Sequence, residues 1–176
     1  MTVGTKSLLF GVHQFLWHPF TVWIAWVRLY GFPSWRICVC ILIHDWGYWG
    51  CKTMDGADGR WHPKVGARLA GKWFGPAFEE LVFDHSRYLA REVGRTPSML
   101  CWADKYSMLY DPAWFYLIRA RLSGEIHEYR ANACQRGFIP LLATHREWLD
   151  KLRAHLAPMA LKHAEERGKP PCTVQS

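Results

Sequence analysis

Apolar residues recur at three- and four-residue spacing along most of the chain, and no hairpin signature interrupts them. The pattern predicts helices nearly throughout. A first helix begins near Ser7 and is kinked or ended by Pro19, because proline fits mainly in a first turn. A second runs to Leu29 and closes at Gly31 and Pro33. Ser34 is placed to cap a helix over 35–44. The stretch 46–61 holds Gly47, Gly50, Gly56 and Gly59 and reads as a loop; it lacks the acidic alternation of a Ca²⁺ loop. Helices follow over 62–74, stopped by Gly75-Pro76, over 77–93, and from Pro97 with Thr96 as cap. Asp111-Pro112 opens 113–122, then come 125–133, a break at 137–140, and a long amphipathic helix over 145–166 with Pro158 as a kink. The expected fold class is all-α: one helical domain over 1–167, followed by a flexible tail at 168–176.

The polar residues that interrupt the apolar stripes point to chemistry. Ile41-Leu42-Ile43-His44-Asp45 ends an apolar run on a His–Asp pair, where an ionised carboxylate is costly unless something compensates it. His85 falls on the stripe Phe78, Leu81, Val82 and Leu89, and Asp104 on Leu100, Cys101 and Met108. His18 shares a face with Val22, Ala25, Trp26 and Leu29, while His62 stands where a helix begins and can reach back across its end. A lone histidine on an apolar face is usually a hydrogen-bonded core residue. Several segments aiming His or Asp inward together suggest a shared cation. Imidazole and carboxylate donors suit Fe, Mn, Zn, Co or Ni, and the absence of cysteine among them argues against a structural zinc clip. One or two ions are expected, with Mg admissible at a second site.

The order of these residues resembles the HD superfamily of metal-dependent phosphohydrolases. The resemblance is carried by His18, by His44-Asp45 within Leu-Ile-His-Asp-Trp-Gly, by His62-Pro63-Lys64-Val65-Gly66-Ala67, by Val82-Phe83-Asp84-His85, and by Ala103-Asp104-Lys105. It implies an HD-type metal core over about residues 16–110 with C-terminal helices over 112–167, and the ligand set His18, His44, Asp45, His62, His85 and Asp104. His13 competes with His18; the spacing to the His-Asp pair usual in the family favours His18. Two extra histidines between the pair and the last Asp resemble the dinuclear branch. That branch includes diadenosine-tetraphosphate hydrolases, cyclic-dinucleotide phosphodiesterases and a few di-iron oxygenases. Two features depart from the wider family: Tyr48 stands where Lys is common, and no acidic residue follows the pair at the spacing of the deoxynucleotide 5'-phosphatases.

Composition narrows the partners. A formal charge of +7 attracts anions, phosphate esters among them, but no run of five like charges marks a nucleic-acid tail, and the basic residues read as a scattered solvated surface. The eleven tryptophans read first as a core of large rings, with one or two stacking on a base as the sharper alternative. Six cysteines without a C-x-x-C fit a reducing, cytoplasmic setting, and 8–30 is too interrupted to span a membrane. His127, His145, His155 and His163 read as surface residues. The C-terminal third carries no recognisable chemistry and either covers the core or pairs with a second copy in a homo-oligomer.

The expected function is hydrolysis of a phosphoester or phosphoanhydride in a nucleotide or other small phosphate ester by metal-activated water. Lys64, Arg87 and Lys105 are the candidate phosphate-binding residues, with Tyr48 and Lys105 in support of the chemistry. A di-iron oxygenase cleaving a C–C or C–P bond would use the same ligands. A non-catalytic metal-binding scaffold is the third reading.

Overall fold

Ten α-helices and two short 3-10 turns make up the regular structure of residues 1–167, the part of the chain described by the computed structural model. No strand occurs among the described residues, as the periodicity predicts. The tail expected at 168–176 lies outside them.

The helices are α1 (Val3–Phe10), α2 (Trp17–Tyr30), α3 (Trp35–Ile43), α4 (Pro63–Phe74), α5 (Pro76–Phe83), α6 (Arg87–Glu92), α7 (Met99–Ser107), α8 (Ala113–Ser123), α9 (Glu125–Gln135) and α10 (His145–Glu166). The 3-10 turns, Trp46–Tyr48 and Gly59–Trp61, lie between α3 and α4. One core gathers Val22, Ala25 and Leu29 of α2, Ile41 and Ile43 of α3, and Ala67 and Ala70 of α4. Leu100 and Ala103 of α7 join it, and Ala160 and Ala164 of α10 seal it. A second core, with Leu117, Ile126 and Leu149, joins α8, α9 and α10. Of the C-terminal helices, α10 therefore covers the core built by α2, α3, α4 and α7.

Several helix ends differ from expectation for local reasons. The first helix starts at Val3 and stops at Phe10, so Pro19 falls in the first turn of α2, where its missing N–H costs nothing. The Gln14 side chain accepts from Leu16 N and Trp17 N and starts that helix instead of a residue at the usual capping position. The single helix expected over 77–93 is two: Asp84, His85 and Ser86 break it, Ser86 caps α6 through Leu89 N, and Arg95 grips Asp84 with two hydrogen bonds. Ser98 rather than Thr96 caps α7. Asp111 does not cap α8; its carboxylate is tied to Arg119 and to Trp17 Nε1. Ser34 caps α3 as expected, and α10 runs unbroken through Pro158 from a capping box of Thr144 and Glu147.

The tryptophans are not chiefly core. Trp26, Trp102 and Trp148 are buried, whereas Trp35, Trp46, Trp49, Trp61, Trp73 and Trp114 are exposed. His163 also departs from its surface reading: it is half-buried, with its Nδ1 2.9 Å from the Tyr30 hydroxyl and its ring against Trp102.

Candidate metal centre

Five segments bring the six candidate ligands to one buried place. His44 ends α3 and Asp45 follows it; His62 precedes α4; His85 sits in the break between α5 and α6; His18 lies in the first turn of α2 and Asp104 in α7. Glycines allow the approach. A Cβ on Gly66 would lie 2.5 Å from the Ile43 carbonyl oxygen, and one on Gly47 would collide with the His62 backbone. Side chains at either position would push the His44-Asp45 and His62 segments apart.

Asp45 divides the site. Its Oδ2 lies 3.2 Å from His18 Nε2 and 3.1 Å from His44 Nε2, and its Oδ1 lies 3.3 Å from His62 Nε2 and 3.4 Å from His85 Nε2. Asp104 Oδ1 joins the first half at 3.2 Å from His18 Nε2. The carboxylate is thus placed as a bridge between His18, His44 and Asp104 on one side and His62 and His85 on the other. His44 leans toward both halves: it can share an ion with His18 and Asp104, or with Asp45 and His85.

The histidine rings are oriented for ligation. His44 Nδ1 lies 2.6 Å from the Ile41 carbonyl, His62 Nδ1 2.7 Å from Gly59 O, and His85 Nδ1 2.5 Å from Val82 O. A carbonyl only accepts, so each Nδ1 carries the proton and each Nε2 presents a lone pair to the centre. His18 Nε2, His44 Nε2 and Asp45 Oδ2 are buried and make no aligned hydrogen bond, although they approach within ion-pair distance. Unsatisfied buried polar atoms are costly, and here the orphaned atoms face one another. A divalent cation satisfies that donor set directly, so the residues fit the ion the sequence suggests.

The charge states of the protein side chains follow from the same crowding. Burial lowers the His62 pKa to about 4 despite the nearby Asp45 carboxylate, and burial also lowers that of His44. For His18 burial works against protonation, yet Asp104 and Asp45 outweigh it and raise the pKa to about 9. Both carboxylates are opposed by burial but held well below their usual range, Asp45 by the neighbouring imidazoles and Asp104 chiefly by Lys105.

A cavity of about 790 Å³ opens beside the ligands. Arg87 and Lys105 line it, as does Tyr48, whose ring stacks on His62 at 3.8 Å. Lys105 Nζ also donates to Asp104 Oδ2 at 2.7 Å. Lys64 is not part of the lining; it is exposed and its ammonium rests 4.0 Å from the Trp61 ring centre. Periodicity does not single out Arg60, Arg91 or Arg136, which add to the basic wall, or Tyr88 and Phe138, which add aromatic rings to the lining. Trp148 is the one tryptophan among the lining residues.

The C-terminal half contributes more than expected. Glu125 is fully buried and accepts from Val12 N and Ser123 Oγ, and its Oε2 lies 3.1 Å from His13 Nδ1. His13 is thereby held in the cavity wall, 5.2 Å ring to ring from His18, and stands outside the donor set. His155 lines the same cavity. No family model, curated protein sequence or solved structure matches the chain.

Proposed function

We propose that the protein is a metal-dependent phosphohydrolase acting on a nucleotide or another small phosphate ester. The observation that carries this reading is the convergence of four histidines and two aspartates at the edge of a cavity that Arg60, Arg87, Arg91, Lys105 and Arg136 line. The order of the ligands along the chain, which resembles the HD superfamily, adds support.

His18, His44, Asp45, His62, His85 and Asp104 would hold one or two divalent transition ions. Bound there, such ions supply Lewis acidity and make water a usable nucleophile near neutral pH. The chain's own groups do the rest. Arg87 and Arg60 can grip phosphoryl oxygens in a planar fork, and Lys105 offers a compact charge next to Asp104. Tyr48 keeps its proton, because burial and the nearby Asp45 charge push its pKa well above the usual value. Its hydroxyl is thus a hydrogen-bond donor toward a substrate oxygen at any physiological pH. The Tyr88 and Phe138 rings in the lining suit the flat face of a base.

The direct test is phosphate release from a panel of nucleotides and simple phosphate esters by protein loaded with Mn²⁺, Co²⁺, Ni²⁺ or Fe²⁺. Turnover lost on chelation and regained on adding metal is expected. No release with any of the four ions, together with substrate-dependent O₂ uptake by the iron form, would replace this reading with an oxygenase.

A further inference from the structure

The outer side of α3 and α4 carries a surface that the metal centre does not use. The two helices run antiparallel side by side. Trp35 at the start of α3 meets Phe74 at the end of α4, at 5.2 Å between ring centres, and Gly66 of α4 abuts Ile43 and His44. Along α3 and into the following turn, Trp35, Leu42 and Trp46 recur at helical spacing and are exposed. Trp49 lies beyond them and is 65% exposed. On α4, Val65 and Trp73 are exposed, the latter with its ring against Phe74. Soluble surfaces rarely leave so many large rings in water without a partner.

The same two helices carry the positive charge. Lys64, Arg68 and Lys72 follow one another every fourth residue on the exposed face of α4, and Arg36 is exposed on α3. Neither helix contains an acidic residue. Glu79 of α5 packs against α4 at Gly71, two turns after Lys64 and on the same side of the helix, so one carboxylate borders the three cations. Lys64 lies over the Trp61 ring, so cation and aromatic alternate along the strip.

We infer that this face docks on an anionic lipid bilayer. Tryptophan prefers the headgroup region, where one side of the ring is apolar and the N–H is wet. Basic side chains beside it meet the negative surface potential. An interfacial surface of this kind combines shallow apolar insertion with cationic contacts, and both occur here on one pair of helices. A protein partner would need no such excess of cations. A nucleic acid would be held by the cations but would not draw the exposed rings into hydrocarbon. The inference stands apart from the phosphohydrolase reading, since none of its insertion residues is a ligand or part of the cavity wall.

The experiment is sedimentation of the full chain with vesicles of phosphatidylcholine alone or mixed with phosphatidylglycerol. Brominated acyl chains in parallel vesicles serve as depth quenchers. Binding to the anionic vesicles, weakened by salt, with quenching of tryptophan emission, is expected. The variant Arg36→Glu/Arg68→Glu/Lys72→Glu should bind at least about 100-fold more weakly, since loss of each basic charge alone is worth roughly fivefold. Trp35→Ser/Trp73→Ser should lose a measurable part of the quenching, with Trp46 and Trp49 keeping the remainder, while its circular dichroism is unchanged. Equal binding to neutral vesicles, or binding without quenching, would overturn the inference. So would tighter binding to single-stranded RNA that the charge-reversal variant abolishes.

Discussion

The Nε2 atoms of His62 and His85 stand 2.9 Å apart while the Nδ1 atoms of both rings are committed to backbone carbonyls. Two neutral rings so arranged put lone pair against lone pair, and a cation between them turns repulsion into ligation. Asp45 links this pair to His18 and His44. Asp45→Ala should therefore empty the whole centre. His85→Ala should leave the His18, His44 and Asp104 half able to retain an ion. Elemental analysis of protein purified without chelator reads both results, and metal-replete Asp45→Ala protein would remove the centre altogether.

Removing the metal should also soften the fold, because an ion that binds only the native arrangement adds to its stability. At a free ion concentration a hundredfold above its dissociation constant that is about 2.7 kcal/mol. For a chain of this size, chelation should then lower Tm by about 5–10 °C. Calorimetry with and without chelator checks this, and an unchanged Tm would mean that the donor atoms hold no ion.

Arg87 and Lys105 should behave differently on truncation, though both line the cavity. Arg87 makes no side-chain bond to a ligand, so Arg87→Ala should keep the metal and raise KM about 10-fold or more, the cost of one charge-assisted hydrogen bond. Lys105 also pairs with Asp104, whose carboxylate it helps to keep ionised. Lys105→Ala should weaken both substrate and metal binding. Titration of metal into each variant, beside steady-state kinetics, separates the two effects.

Periodicity makes the all-α class and most helices legible, since α3, α4, α9 and α10 each carry an apolar stripe with a cap or a stop. It misplaces His85, because a break at Asp84–Ser86 leaves the spacing intact while the chain changes direction. The bond from Arg95 to Asp84 that stabilises the break joins residues whose proximity no local pattern reveals. Five of the six candidate ligands are visible as polar residues on apolar faces or at the end of an apolar run, and His62 as a residue that opens a helix. The basic wall is not, because Arg60, Arg91 and Arg136 come from three separate segments that read as solvated. Glu125 is hidden for the same reason: it opens α9 as an ordinary acidic first-turn residue, and only the fold places His13 beside it.

The loop before His62 depends on one carboxylate. Asp58 accepts from Lys52 N at 2.6 Å, Thr53 N at 3.2 Å and Gly59 N at 2.9 Å, and from the Thr53 hydroxyl. These bonds, that to the Thr53 side chain foremost, hold its pKa well below the carboxylate range. A depressed native pKa means that the stabilisation is present above the unfolded value of about 4 and is lost as pH falls below it. The protection factors of the amides at 52–59, which divide out the intrinsic pH dependence of exchange, should fall on acidification below about pH 4. Asp58→Asn should exchange fast at neutral pH and lose that dependence; an unchanged rate in the variant would show that the loop is held by other contacts.

Asp111 and Arg119 form a buried ion pair that anchors the segment before His18. Arg119 also donates to the Gly11 and Val12 carbonyls, and Asp111 accepts from Trp17 Nε1, so α2, α8 and the 11–12 bend meet at one point. Asp111→Ala leaves a guanidinium in a place only 4% exposed. Stranding a buried charge costs about 3–5 kcal/mol, which corresponds here to a fall in Tm of roughly 10 °C. Replacing both partners with apolar residues, as in Asp111→Leu/Arg119→Met, should recover most of the loss, because the charge is then gone as well. Thermal denaturation of the two variants decides the point. A single variant as stable as the starting protein would mean that the Gly11 and Val12 carbonyls alone suffice to hold Arg119.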